Sequence, residues 1–469
     1  MRKKKVLVHG TSDSVKKFFE DALSWDYEVV AILSESFEKV SIVRGGKDLA
    51  VLPSQSLPSF IQKLVDAVII TDYATKDPAI NFFFKLGFDF CRIILWSAQN
   101  GWEKLEIQDP DGTRVVFLNG LEFHINDKAD ERFFNMIQGQ LKIQRMTRNL
   151  EPEEYSKRVA KEFERMRKRP LDFNNVHTFS EKVNWIKVFD ATPLKGRLAD
   201  KYAVRGWVAD KIGSEYLIPL LGVWEDFDDI NFDDLPNQFV LKCNHSWNTN
   251  IIVRDKKTFN TQKAREKINA WLSVDHAALG YEMHYTLIKP KIFAEEFMRN
   301  GDALDLNDYK FYCFDGKIFC CQYMINRSGG LKMEHFDNNW QVMKIEKVGQ
   351  RHIDNPERIP KPKNFELMKT LVAKLATGFA FVRVDLYEIE GHVYFGEMTF
   401  TPSCGHFSYK SEGTDEYLGS LLKLPEITPP LRCLENERMK NFFSRTVLRA
   451  RVFFVILGKI LGEFYVEKS

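Results

Sequence analysis

Two acidic residues sit where strands of Val, Tyr and Phe ordinarily carry none: Asp385 in FVRVDLY and Glu397 in HVYFGEM. A carboxylate in such a setting requires a compensating cation or hydrogen-bond donor. The connecting EIEGH, centred on Glu390-Gly391, suits a tight hairpin, and antiparallel pairing then brings both acids to one face. Two carboxylates at close range repel strongly in a low dielectric. A hard divalent cation resolves that repulsion, and Mg²⁺ favours one or two carboxylates together with phosphate oxygens. Thr399, two residues beyond Glu397, presents a hydroxyl on the same face; Arg383, two before Asp385, presents a positive charge. A structural salt bridge between Arg383 and Asp385 accounts for this stretch equally well, so the rest of the chain must decide.

Upstream, cations recur at the ends of predicted elements. DKYAVRGWVADKIG (200–213) reads as a helix with Asp200 as N-cap and Gly213 as terminator, with Lys201 and Arg205 on one face. NQFVLKCNHSWNTNIIVRD (237–255) reads as strand, polar loop, strand: Lys242 closes the first strand, and Asn244, His245 and Ser246 open the loop. A strand-end Lys before a small polar loop binds phosphate through ammonium and amide groups. No GxxxxGK[ST] occurs, which excludes a P-loop. KPKIFAEEFM (289–298) is a strand ending in Glu295-Glu296; DYKFYCFDGKIF carries Lys310; CCQYMINRSGG ends a strand on Arg327 before two glycines. Paired carboxylates preceded by Lys201, Lys242, Lys310 and Arg327 describe a setting for a Mg²⁺-bound triphosphate.

The elements that must position these residues divide the 469-residue chain into several domains. Residues 1–126 open with alternating apolar strands and helical segments, the pattern of a Rossmann-like parallel sheet. Its first turn, HGTSDS, has one glycine where a dinucleotide fingerprint has three. A structural or docking role is therefore expected there, with a nucleotide sugar as the alternative ligand. Residues 127–170 form a charged helical connector whose Arg165, Arg167, Lys168 and Arg169 read as a solvated helix end. Mixed α/β pattern resumes over 171–432. The tail, 433–469, interleaves apolar residues with Arg445, Arg449, Arg451 and Lys459. It reads as a basic amphipathic helix, which either touches a membrane through 440–465 or docks on the core or another subunit. A net charge of +2 argues against a nucleic-acid partner. Seven scattered cysteines without a CxxC pair suit a reduced, cytoplasmic protein, peripheral at the inner face of the membrane if the tail binds lipid.

DKYAVRGWV, FVLKCNH, DYKFYCFDGK and VRVDLYEIEGHVYFGEMTF, in this order, resemble the TupA-like ATP-grasp family, associated with teichuronopeptide and capsular or O-antigen polysaccharide biosynthesis. RVDLY…GEMTFTP is also similar to the metal strands of D-alanine–D-alanine ligases. The resemblance covers about 175–426. It implies an ATP-grasp domain, with ATP and Mg²⁺ as cofactors and an amide-forming, ADP-producing ligase activity on carboxylate and amine substrates. It further implies that Lys201 and Lys242 contact the phosphates beneath the loop 244–250, which includes Asn244 and His245. Glu295, Glu296, Phe297 and Met298 would form the linker against which adenine rests. Asp302 or Asp308 would meet the ribose. Lys310, Arg327 and Arg383 would act on the transferred phosphoryl group, and Asp385, Glu397 and Thr399 would hold the metal. Thr399 departs from the Asn that most ATP-grasp enzymes place there. A phosphotransferase and a non-catalytic ATP-binding scaffold for glycosyltransferases are the alternatives.

Overall fold

The structure, a computed structural model, describes residues 113–147, 150, 152–301 and 305–425 and, before them, the segments 4–9, 27–33, 67–71, 76–86, 93–97 and 101–108 with a few shorter pieces. The expected first turn at 10–14, the candidate ribose contact Asp302 and the tail 433–469 lie outside the described residues.

The described strands up to residue 125 are β1 (Lys4–His9), β2 (Tyr27–Leu33), β3 (Val43–Arg44), β4 (Lys47–Asp48), β5 (Val51–Leu52), β6 (Ala67–Ile70), β7 (Ile93–Ser97), β8 (Gly101–Gln108), β9 (Arg114–Leu118) and β10 (Leu121–Ile125). Eight of them form one sheet in the order β10-β9-β8-β7-β6-β1-β2-β5. The strands from β7 to β5 are parallel, as the alternating sequence pattern predicts, because their apolar runs are buried on both faces. β8 to β10 extend the sheet antiparallel. Their hairpin turns on Asn119 and Gly120, both at positive φ, the conformation that an Asn-Gly pair adopts readily.

The charged connector is two helices, Lys128–Thr147 and Pro152–Arg167. The first lays Phe134, Ile137 and Leu141 on the β1–β9 face, in a core that also takes Ala270 and Val274. The second packs Val159 and Phe163 on Leu171 and Val188. The basic helix end differs from expectation: Arg167 binds the Phe407 carbonyl at 3.3 Å and Asp415 at 3.2 Å, and Arg169 pairs with Glu181. Two of its four cations thus fasten the helix to the following domain rather than facing water.

That domain contains two further sheets. β11 (Leu220–Trp224), β12 (Phe239–Cys243), β13 (Asn250–Val253) and β14 (Ile292–Glu296) pair antiparallel in the order β11-β14-β12-β13. Leu241, Cys243 and Ala294 pack on helix Thr261–Ser273, leaving Lys242 and Glu295 on the opposite face. β15 (Asp308–Phe314), β16 (Lys317–Ile325), β17 (Lys332–Phe336), β18 (Val342–Met343), β19 (Phe381–Ile389) and β20 (His392–Thr399) form the second, in the order β18-β17-β16-β15-β19-β20. Phe311, Val382, Val384 and Met398 seal one face against helix Phe365–Ala376. With period-two alternation, every second residue of β15 and β19 must then face the other way, and those residues are Asp308, Lys310, Arg383 and Asp385. The β19–β20 hairpin turns on Glu390 and Gly391, both at positive φ.

Candidate active site

Cross-strand register assembles the polar face. Lys310 stands opposite Asp385, Asp385 opposite Glu397, and Arg383 opposite Thr399. A bulge follows Asp385, and Gly396 occupies it because a Cβ there would come within 3.0 Å of the Asp385 carbonyl. The charged groups then form a chain of contacts. Lys201 approaches Glu397 at 3.5 Å; Glu397 accepts from Arg383 at 2.8 Å; Arg383 also forks onto both Asp385 oxygens at 2.7 Å. Asp385 accepts from Lys310, which lies 3.2 Å from Asp308, and Asp308 takes both arms of Arg327 at 2.6 and 2.5 Å. Signs alternate along the chain. It begins and ends on a cation, so four cations meet three carboxylates.

Environment sets the protonation of its members. Burial works to raise Glu397, but Lys201, Arg383 and Lys310 outweigh it and hold the carboxyl well below the usual range. Burial pushes Asp385 upward, opposed by Arg383 and Lys310. Arg383 is held charged, its desolvation overcome by Asp385 and Glu397.

The four-stranded sheet contributes a second, smaller cluster. Glu295 is shared by Lys242 at 2.6 Å and Arg205 at 2.7 Å, again one cation in excess. Lys201 joins the clusters: its amide donates to the Asn244 carbonyl at 3.0 Å and its ammonium to the Ser246 carbonyl at 2.6 Å, while the same ammonium faces Glu397. The loop after β12 therefore lies beside the paired carboxylates of β19 and β20. Asn244 is a fully buried strut, donating to Asp200 at 2.8 Å and accepting from the Lys291 amide at 2.6 Å.

A cation at Asp385 and Glu397 would find hard oxygen donors on adjacent strands, and Thr399 directs its hydroxyl to Glu397 at 3.4 Å. These are fewer donors than the six Mg²⁺ takes, which leaves phosphate oxygens and water to complete its shell. No group of three or more His, Cys, Asp or Glu suited to a metal occurs among the described residues. The donor set fits Mg²⁺ brought with a nucleotide.

A family model described as TupA-like ATPgrasp matches residues 181–423, more than half of the chain. The chain belongs to the TupA-like ATP-grasp family. Similar solved structures include N5-carboxyaminoimidazole synthetase from Staphylococcus aureus complexed with ADP, at 11% identity over 90% of this chain and 79% of that one, TM-score 0.30. D-alanine–D-alanine ligase from Bacillus anthracis complexed with ATP is 11% identical over 85% and 87%, TM-score 0.27. The ATP-grasp ligase PsnB, complexed with minimal precursor, Mg and ADP, is 11% identical over 85% and 88%, TM-score 0.26. No curated protein matches.

Several residues of this ATP-grasp chain stand elsewhere than the sequence suggests. Helix 200–213 begins at Val204; residues 201–203 form a turn whose Tyr202 and Ala203 amides donate to Asp200, so Lys201 and Arg205 do not share a helical face. They diverge to Glu397 and Glu295. Asp308, the described candidate for a ribose contact, is fully buried, and Arg327 and Lys310 take up its carboxylate. Arg327 follows β16 by two residues rather than ending it. Glu296 ends β14, exposed and with its amide on the Pro219 carbonyl; Phe297 and Met298 follow it, with Arg254 5.1 Å from the Phe297 ring. His245 is buried beneath the loop, its Nε2 on the Trp271 carbonyl at 3.2 Å, and burial pushes it down to about 4. It sits edge-on to His276, which burial pushes to about 3. His276 and Glu282 escape sequence reasoning, because neither lies at a predicted strand end. Asp308 was findable as an active-face residue, two positions from Lys310 on one strand.

Proposed function

We propose that this protein is an ATP- and Mg²⁺-dependent carboxylate–amine ligase. The observation that carries the proposal is the chain of charges from Lys201 to Arg327, alternating in sign and cationic at both ends. Such a chain attracts a polyanion through its excess positive charge. Lys201 and Lys242 are assigned to the ATP phosphates, with the loop 244–250 above them; Glu295–Met298 are assigned to the nucleotide's base. Asp385, Glu397 and Thr399 are the residues that would hold Mg²⁺, which would supply neutralisation of phosphate charge. Lys310, Arg327 and Arg383 stabilise charge as a substrate carboxylate attacks the γ-phosphorus and ADP leaves. The acyl-phosphate so formed loses phosphate to an attacking amine, which gives up a proton as the amide forms. Catalysis by position and charge requires no Ser or Cys nucleophile.

The assignment to surface-polysaccharide assembly, with a uronic acid or amino acid among the substrates, rests on the family resemblance. Peripheral contact of 440–465 with lipid rests on sequence pattern; no described helix is long and apolar enough to cross a membrane. The test is an ADP-release screen over amino acids, amines and sugar uronates, with mass spectrometry of products. ADP release that requires both a carboxylate and an amine, and an amide product, is expected. A stable phosphate ester or other phosphorylated product that is not an acyl-phosphate, accumulating over many turnovers without any amine, refutes the ligase assignment in favour of a phosphotransferase.

A further inference from the structure

Beyond the end of β20 the chain enters TPSCG, where Ser403 and Cys404 both adopt left-handed backbone, at φ 51° and 53°. Consecutive non-glycine residues in that region cost free energy and persist only where the surroundings impose them. Here three side chains do so, Glu282, Lys187 and Asn184. Thr401 donates its hydroxyl to Glu282, and the Cys404 thiol donates to the other Glu282 oxygen at 2.9 Å. Lys187, fully buried on helix Phe179–Phe189, donates to the Cys404 carbonyl at 2.9 Å and to Asn184 at 3.1 Å. Asn184 in turn donates to the Gly405 carbonyl at 3.2 Å. Fit is close: a Cβ on Gly280 would come 2.9 Å from a Glu282 oxygen and 3.0 Å from the Cys404 sulfur.

Glu282 is 4% exposed, and both its oxygens accept from groups within five residues of Thr399. It does not touch the charge chain itself. Yet its segment reaches both halves of the site: His276, six residues earlier, lies against His245 under the loop 244–250, and Glu282 fastens the loop that follows the metal-carrying strand. A buried carboxylate is an expensive way to hold a loop unless its orientation is the function.

We propose that Glu282 is a positioning residue for the Mg²⁺-bound nucleotide: through Thr401 and Cys404 it fixes the direction in which β20 presents Glu397 and Thr399. This rests on the ATP-grasp assignment of those two residues. Three variants of the full chain test it: Glu282→Gln, Cys404→Ala and Cys404→Ser. The readout is ATP binding by calorimetry, in EDTA and across a Mg²⁺ titration, with thermal unfolding alongside. Glu282→Gln retains the shape but turns one acceptor into a donor facing a donor, and Cys404→Ala deletes a donor. Both are expected to raise the Mg²⁺ concentration for half-maximal enhancement on the order of tenfold, the range for residues orienting metal ligands. ATP binding in EDTA should stay unchanged, and Cys404→Ser, which restores a hydroxyl donor, should recover most of the loss. Variants that unfold at lower temperature yet keep the wild-type Mg²⁺ dependence overturn the proposal and leave Glu282 a purely structural residue. Should the wild-type protein bind ATP with no Mg²⁺ dependence at all, the metal assignment falls, and this inference with it.

Discussion

Asp385→Asn separates the stability of the charge chain from its function. Asp385 is 1% exposed and accepts two Arg383 hydrogen bonds at 2.7 Å and one from Lys310. The amide retains one acceptor oxygen and sets an NH₂ against a cation. Breaking an isolated buried ion pair costs about 3–5 kcal/mol. Neither cation is stranded here, because Glu397 still holds Arg383 at 2.8 Å and Asp308 stays 3.2 Å from Lys310. The expected loss is therefore about 2 kcal/mol, the scale of a charge-assisted hydrogen bond left unmade. Nucleotide binding should move in two directions. The chain passes from one excess positive charge to two. At an effective dielectric near 20, one added charge about 6 Å from a phosphate is worth at most about 2–3 kcal/mol. With screening, ATP in EDTA should bind roughly tenfold tighter. Mg²⁺ should no longer enhance binding, since half of its carboxylate pair is gone. Calorimetry with and without Mg²⁺, beside a denaturant titration, reads all three effects. A folded Asp385→Asn protein that keeps its Mg²⁺ enhancement refutes the assignment of Asp385; weaker binding in EDTA refutes the charge argument.

Lys242→Met should weaken ATP binding by roughly ten- to a hundredfold, as for a lost charge-assisted contact. It should change stability by less than about 1 kcal/mol, because Arg205 still compensates Glu295 at 2.7 Å; nucleotide titration and denaturant midpoint check the two halves. Asp308→Asn leaves Arg327 without its fork, and should cost about 1–3 kcal/mol. Arg327 is itself exposed to water, which keeps the loss near the lower end; unfolding midpoints measure it. His245 and His276 are neutral when buried, at about 4 and about 3, against an ordinary value near 6.5. The unfolded chain therefore binds more protons from pH 6.5 down to about 4, and stability falls as pH falls through that window. Each should contribute about 3 kcal/mol of that loss, so His276→Phe should flatten a plot of unfolding midpoint against pH.

The six-stranded sheet was legible because its residues alternate with little interruption. RVDLY and YFGEM state the alternation and Glu390-Gly391 the turn, but a regular register from that turn would oppose Asp385 to Gly396; the bulge after Asp385, which local pattern does not announce, is what brings Glu397 opposite. The parallel half of the first sheet was legible for a different reason, its short continuous apolar runs set between helical segments. What escaped depends on contacts between distant segments. The turn at 201–203 forms because Asp200 is held by Asn244, 44 residues on, so a helical pattern yields to a tertiary hydrogen bond. Arg167 and Arg169 look like solvated charges until Asp415 and Glu181 meet them. Glu282 carries no local signal, since its partners Thr401 and Cys404 lie more than a hundred residues away.

Seven charges in alternating order solve a problem that a simple cationic pocket does not. A pocket of lysines alone would bind phosphate but strain against its own repulsion, with depressed lysines when empty. Inserting a carboxylate between each pair of cations makes every interior member neutralised on both sides. Exposure is lowest in the middle of the chain: the Asp385 and Asp308 side chains are each 1% exposed, Lys310 is 8% and Arg383 12%, whereas Glu397 is 32% and the end members Lys201 and Arg327 are 21% and 46%. The middle members thus hold one another in place, while Glu397, Lys201 and Arg327 reach toward solvent or ligand. Arg383, bridging Asp385 and Glu397, already occupies the electrostatic role between them that a divalent ion would strengthen. The buried acids that a strand of Val and Tyr should exclude are tolerated because the sheet supplies their counter-charges from its own alternate positions. The one cation left over sets the sign of what the site can attract.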